Sequence, residues 1–367
     1  MKTIRVHLEK RSYPIVVGRG ILKHAGQILA GAGFSTPPII VTNDPVWQVH
    51  GTALRTALEK SFGPAAVIRI GDGERFKNHE TLLRIYGALL RARADRRSWI
   101  LAFGGGVIGD IAGFAAATFM RGIPYASVPT TLLAQVDSSI GGKVGINLPR
   151  GKNLVGAFHQ PSIVMSDTEV LGTLPARELA SGLYEVVKCG AIRSTKLLAY
   201  IERRLRQIAG RRPAELEHII LEASRIKADV VSGDEREKEL RMILNYGHTV
   251  GHALEAATAY RRYKHGEAVG WGMIAAAGFG RELGMLRPAE AERLVRLVHS
   301  VAELPSLRGI EFKAVWRALT SDKKFQAGDI RMVLLPRLGK AEIVSNVDAG
   351  RLQRFLRRFL EAEGKIL

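Results

Sequence analysis

The first hundred or so residues alternate between short apolar segments and longer amphipathic ones. Short apolar runs with turn residues at their ends are typical of strands, and apolar residues spaced by three and four are typical of helices. Strands are predicted at residues 4–8, 13–17, 38–44, 65–70 and 98–103, and helices at 21–29, 45–61 and 80–93. Repeated strand and helix signals predict a parallel sheet covered by helices, because parallel strands need a crossover connection.

A glycine-rich turn follows the strand predicted at 98–103. Its glycines at 104, 106 and 109 fit G-x-G-x-x-G and precede a helix of small residues at 111–120. In that context bare backbone N–H groups can approach a pyrophosphate at a helix N-terminus. The turn comes late in the chain for a dinucleotide fingerprint, and no acid ends the next strand. Asp44 or Glu74, at earlier strand ends, are the alternatives for binding a ribose.

Cations recur among the glycines and hydroxyls that follow. Residues 123–147 are rich in Ser, Thr and Gly and contain Lys143, and Lys152 stands beside Asn153. Together with Arg121 these residues predict a site for a phosphate or a carboxylate. For each lysine taken alone, an exposed surface charge is the alternative.

The pattern changes near Leu171, after which helical spacing dominates. Thr173 can cap a helix, so we predict an N-terminal domain at 1–172 and a second domain at 173–367. In the second domain, helices are predicted at 178–192, 215–231, 267–283 and 289–304, a hairpin at 330–335 and 341–344, and an amphipathic C-terminal helix.

Three histidines lie close together at positions 248, 252 and 265. His248 and His252 are four residues apart and share one helix face, ~6 Å apart along the axis. This spacing suits two imidazoles on one metal, or one on a metal and the other on its substrate. A carboxylate would complete a mixed nitrogen and oxygen site for zinc. Glu185 is the candidate, and a salt bridge to Lys188 is its alternative role.

Composition limits the class of protein. A length of 367 residues predicts two domains, and the single Cys189 excludes an intramolecular disulfide and a cysteine-built zinc site. The N-terminus reads as a strand rather than a signal peptide, and no apolar run approaches the ~18 residues of a membrane span. We expect a cytoplasmic protein that binds no membrane.

The net charge of +19 raises the alternative of a nucleic-acid binder. The basic clusters at 91–97, 203–212 and 351–358 fall on helical patterns or beside them, without interleaved aromatic residues that could stack on bases. We interpret them as solvated faces, and we expect no nucleic-acid partner.

With these motifs in hand, the chain resembles the 3-dehydroquinate synthases, sugar phosphate cyclases of the shikimate pathway. The segments that carry the resemblance are 104–110, 129–147, 152–158, 185–189, 245–255 and 265–269. The resemblance implies an α/β fold with a nucleotide-binding parallel-sheet domain and a mostly helical metal-binding domain, the active site between them, and a homodimer. It also implies NAD and zinc as cofactors, with cobalt as an alternative metal.

The implied reaction converts 3-deoxy-D-arabino-heptulosonate 7-phosphate to 3-dehydroquinate and phosphate. NAD is reduced and reoxidised in each turnover, phosphate is eliminated, and an intramolecular aldol reaction closes the ring. The rival interpretations are another sugar phosphate cyclase and a metal-dependent polyol dehydrogenase of the same two-domain plan. A carboxylate-bearing substrate is favoured by Lys227, Arg241 and Asn245.

The resemblance also assigns residues to each ligand. The implied metal ligands are Glu185, His248 and His265. The implied cofactor-binding residues are Asp44, Asp72, Glu74, Lys77, Gly105, Gly106, Val107, Asp110, Thr130, Thr131, Asp137, Lys143 and Lys152. The implied substrate-binding and catalytic residues are Arg121, Lys143, Lys152, Asn153, Lys188, Lys227, Arg241, Asn245, His252 and one of Lys323 or Lys324. Tyr246 stands where an aliphatic or phenyl side chain is expected.

Overall fold

The computed structural model describes residues 1–149, 151–320 and 330–365. The strands are β1 (Lys2–Val6), β2 (Tyr13–Gly18), β3 (Ile39–Asn43), β4 (Ala66–Ile70), β5 (Ile100–Gly104), β6 (Tyr125–Pro129), β7 (Lys143–Leu148), β8 (Gly151–Phe158), β9 (Ile163–Asp167), β10 (Met332–Arg337) and β11 (Lys340–Val344). The α-helices are α1 (Ala25–Gly31), α2 (Asp44–Phe62), α3 (His79–Arg91), α4 (Gly106–Thr118), α5 (Ala176–Arg193), α6 (Thr195–Ala209), α7 (Pro213–Gly233), α8 (His248–Ala257), α9 (His265–Glu282), α10 (Pro288–Val301), α11 (Phe312–Thr320) and α12 (Ala349–Glu361).

Residues 1–175 and 211–236 form the first of two compact units, which we call unit 1. Its sheet has the order β1-β2-β9-β6-β5-β3-β4, and every neighbouring pair is parallel except β1 with β2. Strands β3, β5, β6 and β9 are buried along their whole length, as expected of a parallel sheet covered on both faces. The predicted α/β class is confirmed.

The order of the strands reverses between β3 and β5. The chain runs from β3 outwards to β4 and then crosses back to place β5 on the other side of β3. In open parallel sheets, ligands bind outside the carboxyl ends of the strands at such a reversal. The topology therefore predicts a dinucleotide site at the carboxyl ends of β3 and β5.

The helix after the glycine turn begins earlier than predicted. We expected it at 111–120, and α4 runs from Gly106 to Thr118. The glycines at 106 and 109 therefore belong to the first helical turn. A side chain at Gly104 would come within 2.5 Å of the Ile108 side chain, so the strand and helix meet too closely for any larger residue.

Strands β6 and β9 and the antiparallel ribbon β7–β8 are structural elements that the sequence interpretation did not assign. Strand β6 is only five residues long, contains Ala126 and Ser127, and has prolines at its end and just before its start. Strand β6 is buried because it lies in the middle of the sheet. Its own sequence does not indicate that position.

Helix α7 groups with unit 1, although we placed 173–367 in the second domain. The helix is bound there by its side chains, since Ser224 Oγ donates to the Gln135 carbonyl at 3.3 Å. A helical pattern does not encode which surface the helix packs against. That one domain binds the cofactor and the other binds the metal remains a prediction.

Unit 2 comprises residues 176–210 and 237–367, of which 321–329, 366 and 367 lie outside the described residues. Its centre is α9, in which every residue from Gly266 to Gly280 is buried. A helix that is apolar on all sides belongs in the middle of a bundle. In the described parts of the chain, no helix is both long enough and apolar enough to cross a bilayer.

Candidate active site

Several predicted cofactor residues lie at the carboxyl edge of the unit 1 sheet. Gly104 of β5 pairs in register with Pro129 of β6, and the Thr130 N–H donates to the Gly104 carbonyl at 3.0 Å. Gly105 and Thr130 therefore leave the sheet side by side. Asp44 follows the end of β3 at the same edge.

A side chain at Gly105 or Gly106 would crowd the neighbouring side chains of Thr131 or Ser138. A Cβ added at Gly106 would lie 2.9 Å from Ser138 Oγ, and one at Gly105 would lie 3.1 Å from Thr131 Cγ2. The backbone here opens α4, whose first N–H groups have no acceptor within the helix. A bare, donor-rich helix start fits the pyrophosphate of a dinucleotide.

A buried lysine ties this edge to the ribbon β7–β8. Lys77, 3% exposed, donates from Nζ to the Asp110 carboxylate and, at 2.5 Å, to Asn153 Oδ1. Asn147 adds two contacts, because its N–H donates to the Lys77 carbonyl at 2.8 Å and its Nδ2 donates to Glu74 Oε1 at 2.7 Å. The structure thus brings predicted cofactor residues together with Asn153, which we assigned to the substrate. Burial raises the pKa of Asp110, against the opposing effect of the Lys77 ammonium.

The acids at the outer strand ends have local partners. Asp44 accepts from Arg69 at 3.0 Å, with both side chains more than half exposed, and Asp72 accepts from Asn43 Nδ2 at 2.7 Å. Both carboxylates lie at the edge where the strand order reverses.

Asp137 and Lys227 form an ion pair within unit 1. The Lys227 ammonium donates to Asp137 Oδ1 at 2.5 Å and to the Asp137 carbonyl at 2.6 Å. Asp137 lies in a π-helical turn, Ala134–Ser138, a geometry often found at functional sites. The pair shows why α7 belongs to this unit, although the sequence pattern alone could not place it.

The remaining predicted cations of unit 1 are not all in one place. Lys143 begins β7, and Lys152 and Asn153 lie near the start of the antiparallel β8. Arg121 follows the far end of α4, separated from Gly106 by about 20 Å of helix. Within this chain, the structure does not bring Arg121 to the glycine turn.

In unit 2, one carboxylate and two imidazoles converge. Glu185 comes from α5, and His248 and His265 are the first residues of α8 and α9. Their Nε2 atoms lie 3.7 and 3.6 Å from Glu185 Oε1, and one donor atom from each of the three residues lies within 4.8 Å of the others. Two neutral imidazoles and a carboxylate are a donor set that zinc and cobalt accept.

Backbone contacts between the helices bring these donors together. A Cβ at Gly266 would lie 1.9 Å from the Ser181 carbonyl oxygen of α5, and one at Gly272 would lie 1.7 Å from the Gly247 carbonyl oxygen. Gly247 itself has a φ of 78°, which favours glycine, and it turns the chain into α8. Glycines therefore let α5, α8 and α9 approach until their side chains can share one point.

Charge and burial suit a cation at this point. Glu185 is fully buried, and burial together with the Lys188 ammonium holds the pKa of His248 well below its usual value, so that its imidazole is neutral. Burial alone lowers the pKa of His265, but the carboxylates of Glu185 and Glu255 raise it to about 10. A proton on His265 offsets the carboxylates here, and a metal ion would supply that positive charge in its place.

Both proposed roles of Glu185 have support in the geometry. Its Oε2 pairs with the Lys188 ammonium, and its Oε1 faces the two histidines. The salt bridge and the metal site are therefore compatible, because they use different oxygens.

The other predicted residues of unit 2 differ in their exposure and in their partners. His252 is exposed, and its ring centroid lies 5.1 Å from that of His248. Arg241 is buried, and Asn245 donates to Glu237 Oε1 at 2.8 Å. Tyr246, the departure from the expected residue, is buried and donates to the Met273 carbonyl. Lys323 and Lys324 lie outside the described residues.

The sequence interpretation missed Glu255, a buried acid that contacts His265 at 3.3 Å. A signal for it was present, since positions 248, 252 and 255 share one face of a helix.

Comparison with known families matches residues of both units, although the boundaries of the matches differ from those of the units. Residues 67–181 match the model of the 3-dehydroquinate synthase N-terminal domain, and residues 182–325 match that of the C-terminal domain. The chain belongs to the 3-dehydroquinate synthase family. A 3-dehydroquinate synthase from Pelotomaculum thermopropionicum is 46% identical over 364 residues, which is 99% of this chain and 97% of that relative.

Solved structures of two other synthases share the fold of this synthase-family chain. A 2-deoxy-scyllo-inosose synthase complexed with carbaglucose-6-phosphate, NAD+ and Co2+ has a TM-score of 0.88 at 27% identity, covering 97% of this chain and all of that one. The 2-epi-5-epi-valiolone synthase from Streptomyces hygroscopicus, with NAD+ and Zn2+ bound, has a TM-score of 0.87 at 29% identity, covering 97% and 98%.

Dehydrogenases are more distant. A glycerol dehydrogenase from Schizosaccharomyces pombe has a TM-score of 0.69 at 15% identity, covering 96% of this chain and 89% of that one. At that identity the likeness concerns the fold alone. The family matches group this chain with the 3-dehydroquinate synthases, and the roles of its individual residues remain predictions.

Proposed function

We propose that this chain is a carbon–oxygen lyase that converts 3-deoxy-D-arabino-heptulosonate 7-phosphate to 3-dehydroquinate and inorganic phosphate. The observation that carries the proposal is the convergence of Glu185, His248 and His265 in a chain 46% identical to a 3-dehydroquinate synthase. The overall reaction is redox neutral, so NAD is required in catalytic amounts only.

Two cofactors complete the chemistry. Glu185, His248 and His265 would hold zinc or cobalt, which would supply a Lewis acid that lowers the pKa of a substrate hydroxyl. The edge that carries Gly105, Gly106 and the other predicted cofactor residues would hold NAD, which would supply a hydride acceptor that is restored within each turnover. The bare backbone at the start of α4 would hold the dinucleotide, and Lys77 keeps Asp110 oriented beside it.

The cations of the chain bind the two anionic ends of the substrate. Lys143 and Lys152 on the ribbon β7–β8 offer ammonium groups to one anion, and Arg241, 2% exposed, offers a desolvated guanidinium to the other. A buried charge such as that of Arg241 acts more strongly than an exposed one, because little water competes with it. Their task is to hold flexible intermediates in one geometry and to keep water from them.

Other residues prepare the site. Lys188 neutralises one oxygen of Glu185 and leaves the second facing the imidazoles. His252, exposed beside His248, is placed to meet substrate, and Asn245 is held in orientation by Glu237. Lys227 pairs with Asp137, and a substrate carboxylate would compete with that carboxylate for the same ammonium.

One assay tests the proposal. The purified chain is given the heptulosonate phosphate, zinc or cobalt, and NAD at one tenth of the substrate concentration, and released phosphate is measured. We expect one phosphate per substrate and no accumulation of NADH. Phosphate release that stops at the amount of NAD present, or does not occur, would contradict the proposal.

The likeness to 2-deoxy-scyllo-inosose synthase supports a second candidate, a cyclase acting on another sugar phosphate. The predicted carboxylate-binding residues argue for the heptulosonate. Glucose 6-phosphate, which lacks a carboxylate, distinguishes the two, because faster phosphate release from it would favour the second candidate. A polyol dehydrogenase would instead produce NADH in proportion to substrate.

We further propose that the chain acts in the cytoplasm as a homodimer. The family resemblance and the absence of a cysteine framework support this assignment. Light scattering after size exclusion tests the homodimer, with an expected mass of about twice the 40.1 kDa of one chain.

A further inference from the structure

Helix α8 presents three side chains on one face. His248, His252 and Glu255 are separated by four and three residues, so they line up along α8. Glu255 is only 4% exposed although it is an acid. A buried carboxylate is costly unless a partner compensates it, so its partner indicates its role.

One partner of Glu255 is Nδ1, the second ring nitrogen of His265, which is a proposed metal ligand. Glu255 Oε2 lies 3.3 Å from His265 Nδ1, while His265 Nε2 lies 3.6 Å from Glu185 Oε1. The two nitrogens of one ring therefore face two different carboxylates, one from α8 and one from α5.

His248 is held in a parallel way. Its Nδ1 lies 3.2 Å from the Tyr246 carbonyl oxygen, and its Nε2 faces the same Glu185 oxygen at 3.7 Å. A carbonyl oxygen only accepts, so Nδ1 of His248 carries the hydrogen and Nε2 keeps its lone pair. For His265 the corresponding acceptor is the side chain of Glu255, which mutation can remove.

We propose that Glu255 is a positioning residue that accepts the Nδ1–H of His265 and so aims its Nε2 lone pair at the metal held with Glu185 and His248. This inference rests on the proposed metal site. An acceptor behind a ligating imidazole fixes its tautomer and ring plane and increases its basicity. Loss of such a partner typically weakens metal affinity by about 10–100-fold.

The same geometry allows a second role for Glu255, and the test distinguishes the two roles. One donor atom each from His252, Glu255 and His265 lies within 4.8 Å of the others, a group that could hold an ion of its own. In that case Glu255 would be a ligand, and the protein would bind two ions. As a positioning residue it leaves the protein with one.

The experiment measures metal binding directly. Wild type, Glu255→Ala and Glu255→Gln are stripped of metal, and the zinc Kd and stoichiometry are measured by competition with a chromogenic chelator. We expect one ion per chain throughout, with the Kd weakened about 10–100-fold by alanine. Glutamine keeps an acceptor oxygen and loses the charge, so its Kd should lie between the two. Because Gln is nearly isosteric, it carries the test if the alanine variant does not fold.

A further readout separates positioning from a general structural role. The visible spectrum of the cobalt-loaded Glu255→Gln variant should shift from that of wild type, which a change in stability alone would not cause. The matched control is Glu290→Gln in α10, another partly buried acid of unit 2 that accepts a backbone N–H, from Leu338. It should leave the Kd and the spectrum unchanged.

The outcomes are distinct. An unchanged Kd and spectrum in both Glu255 variants, or the loss of a second ion from a wild type that binds two, would overturn the inference. A wild type that binds no metal would instead overturn the proposed function.

Discussion

Replacing Lys77 by methionine would remove the ammonium that joins Asp110 to Asn153 and keep most of the apolar stem. Removing one partner of a buried charged pair costs about 3–5 kcal/mol. The Asp110 side chain keeps 18% of its exposure, so water can partly replace the lysine. We therefore expect the lower end, about 3 kcal/mol, which corresponds to roughly 100-fold in the opening equilibrium of this region.

A double-mutant cycle makes the test specific. Asp110→Asn alone should cost about 2 kcal/mol, and the double variant about 3 kcal/mol, so that the two residues are coupled by about 2 kcal/mol. Hydrogen exchange measured by mass spectrometry on peptides from α4 and β8 reports the local free energy of opening. Arg69→Met is the control. Its partner Asp44 is exposed, and such pairs contribute below ~1 kcal/mol.

The stability cost of Lys77→Met should depend on pH in a definite direction. Burial raises the pKa of Asp110, and an acid with a raised pKa in the folded state stabilises the fold at low pH and loses that contribution as pH rises through the folded-state pKa. Without Lys77, protonation of Asp110 can neutralise the buried carboxylate that the ammonium had paired with. The cost of Lys77→Met should therefore be smaller at pH 5 than at pH 8. A cost below ~1 kcal/mol at pH 8, or additive single variants, would refute this reasoning.

Three further predictions concern the sites and the sheet. His248→Ala should abolish metal retention and turnover while circular dichroism shows an intact fold, and full metal content by mass spectrometry would contradict the ligand assignment. Lys143→Met should weaken substrate or cofactor binding, measured by calorimetry, by about 2 kcal/mol or more; the exposed Lys60→Met is the control, and unchanged constants would make Lys143 a bystander. Burial lowers the pKa of His159, whose Nε2 donates to the Ile123 carbonyl at 2.9 Å. The unfolded chain therefore binds the proton more readily, and stability present above pH ~6.5 is lost as pH falls below it. His159→Gln should reduce this loss between pH 7.5 and 5.5 in denaturant titrations, and an equal loss in both proteins would refute the assignment.

Local patterns predicted one side of the sheet well, from β5 through β3 to β4. Strands β3, β4 and β5 lie within a residue or two of the predicted positions, because each is an apolar run bounded by turn residues. Strand β6 escaped prediction, since its place between β5 and β9 follows from the whole sheet. The same limit applies to α7, whose attachment to unit 1 depends on contacts with residues about 90 positions away, such as that of Lys227 with Asp137.

The candidate metal site was also only partly predictable from the sequence. Spacing along the chain indicates that His248 and His252 share a face, and it cannot tell which of them meets His265 and Glu185. That choice depends on the approach of α5, α8 and α9, which is set by contacts at Gly266 and Gly272. Glu255 was within reach of the same spacing argument, but only the position of the His265 ring shows what it contacts.

The glycine contacts also determine which substitutions in unit 2 leave the spacing of the three donor residues unchanged. Where two backbones touch, the gap between helices depends on the helices themselves and hardly at all on the volume of nearby side chains. Exchanges among Ala, Val and Ile elsewhere in the bundle can then alter stability and leave the spacing of the three donors as it was. A methyl group added at position 266 would move the start of α9, and with it His265, away from Glu185.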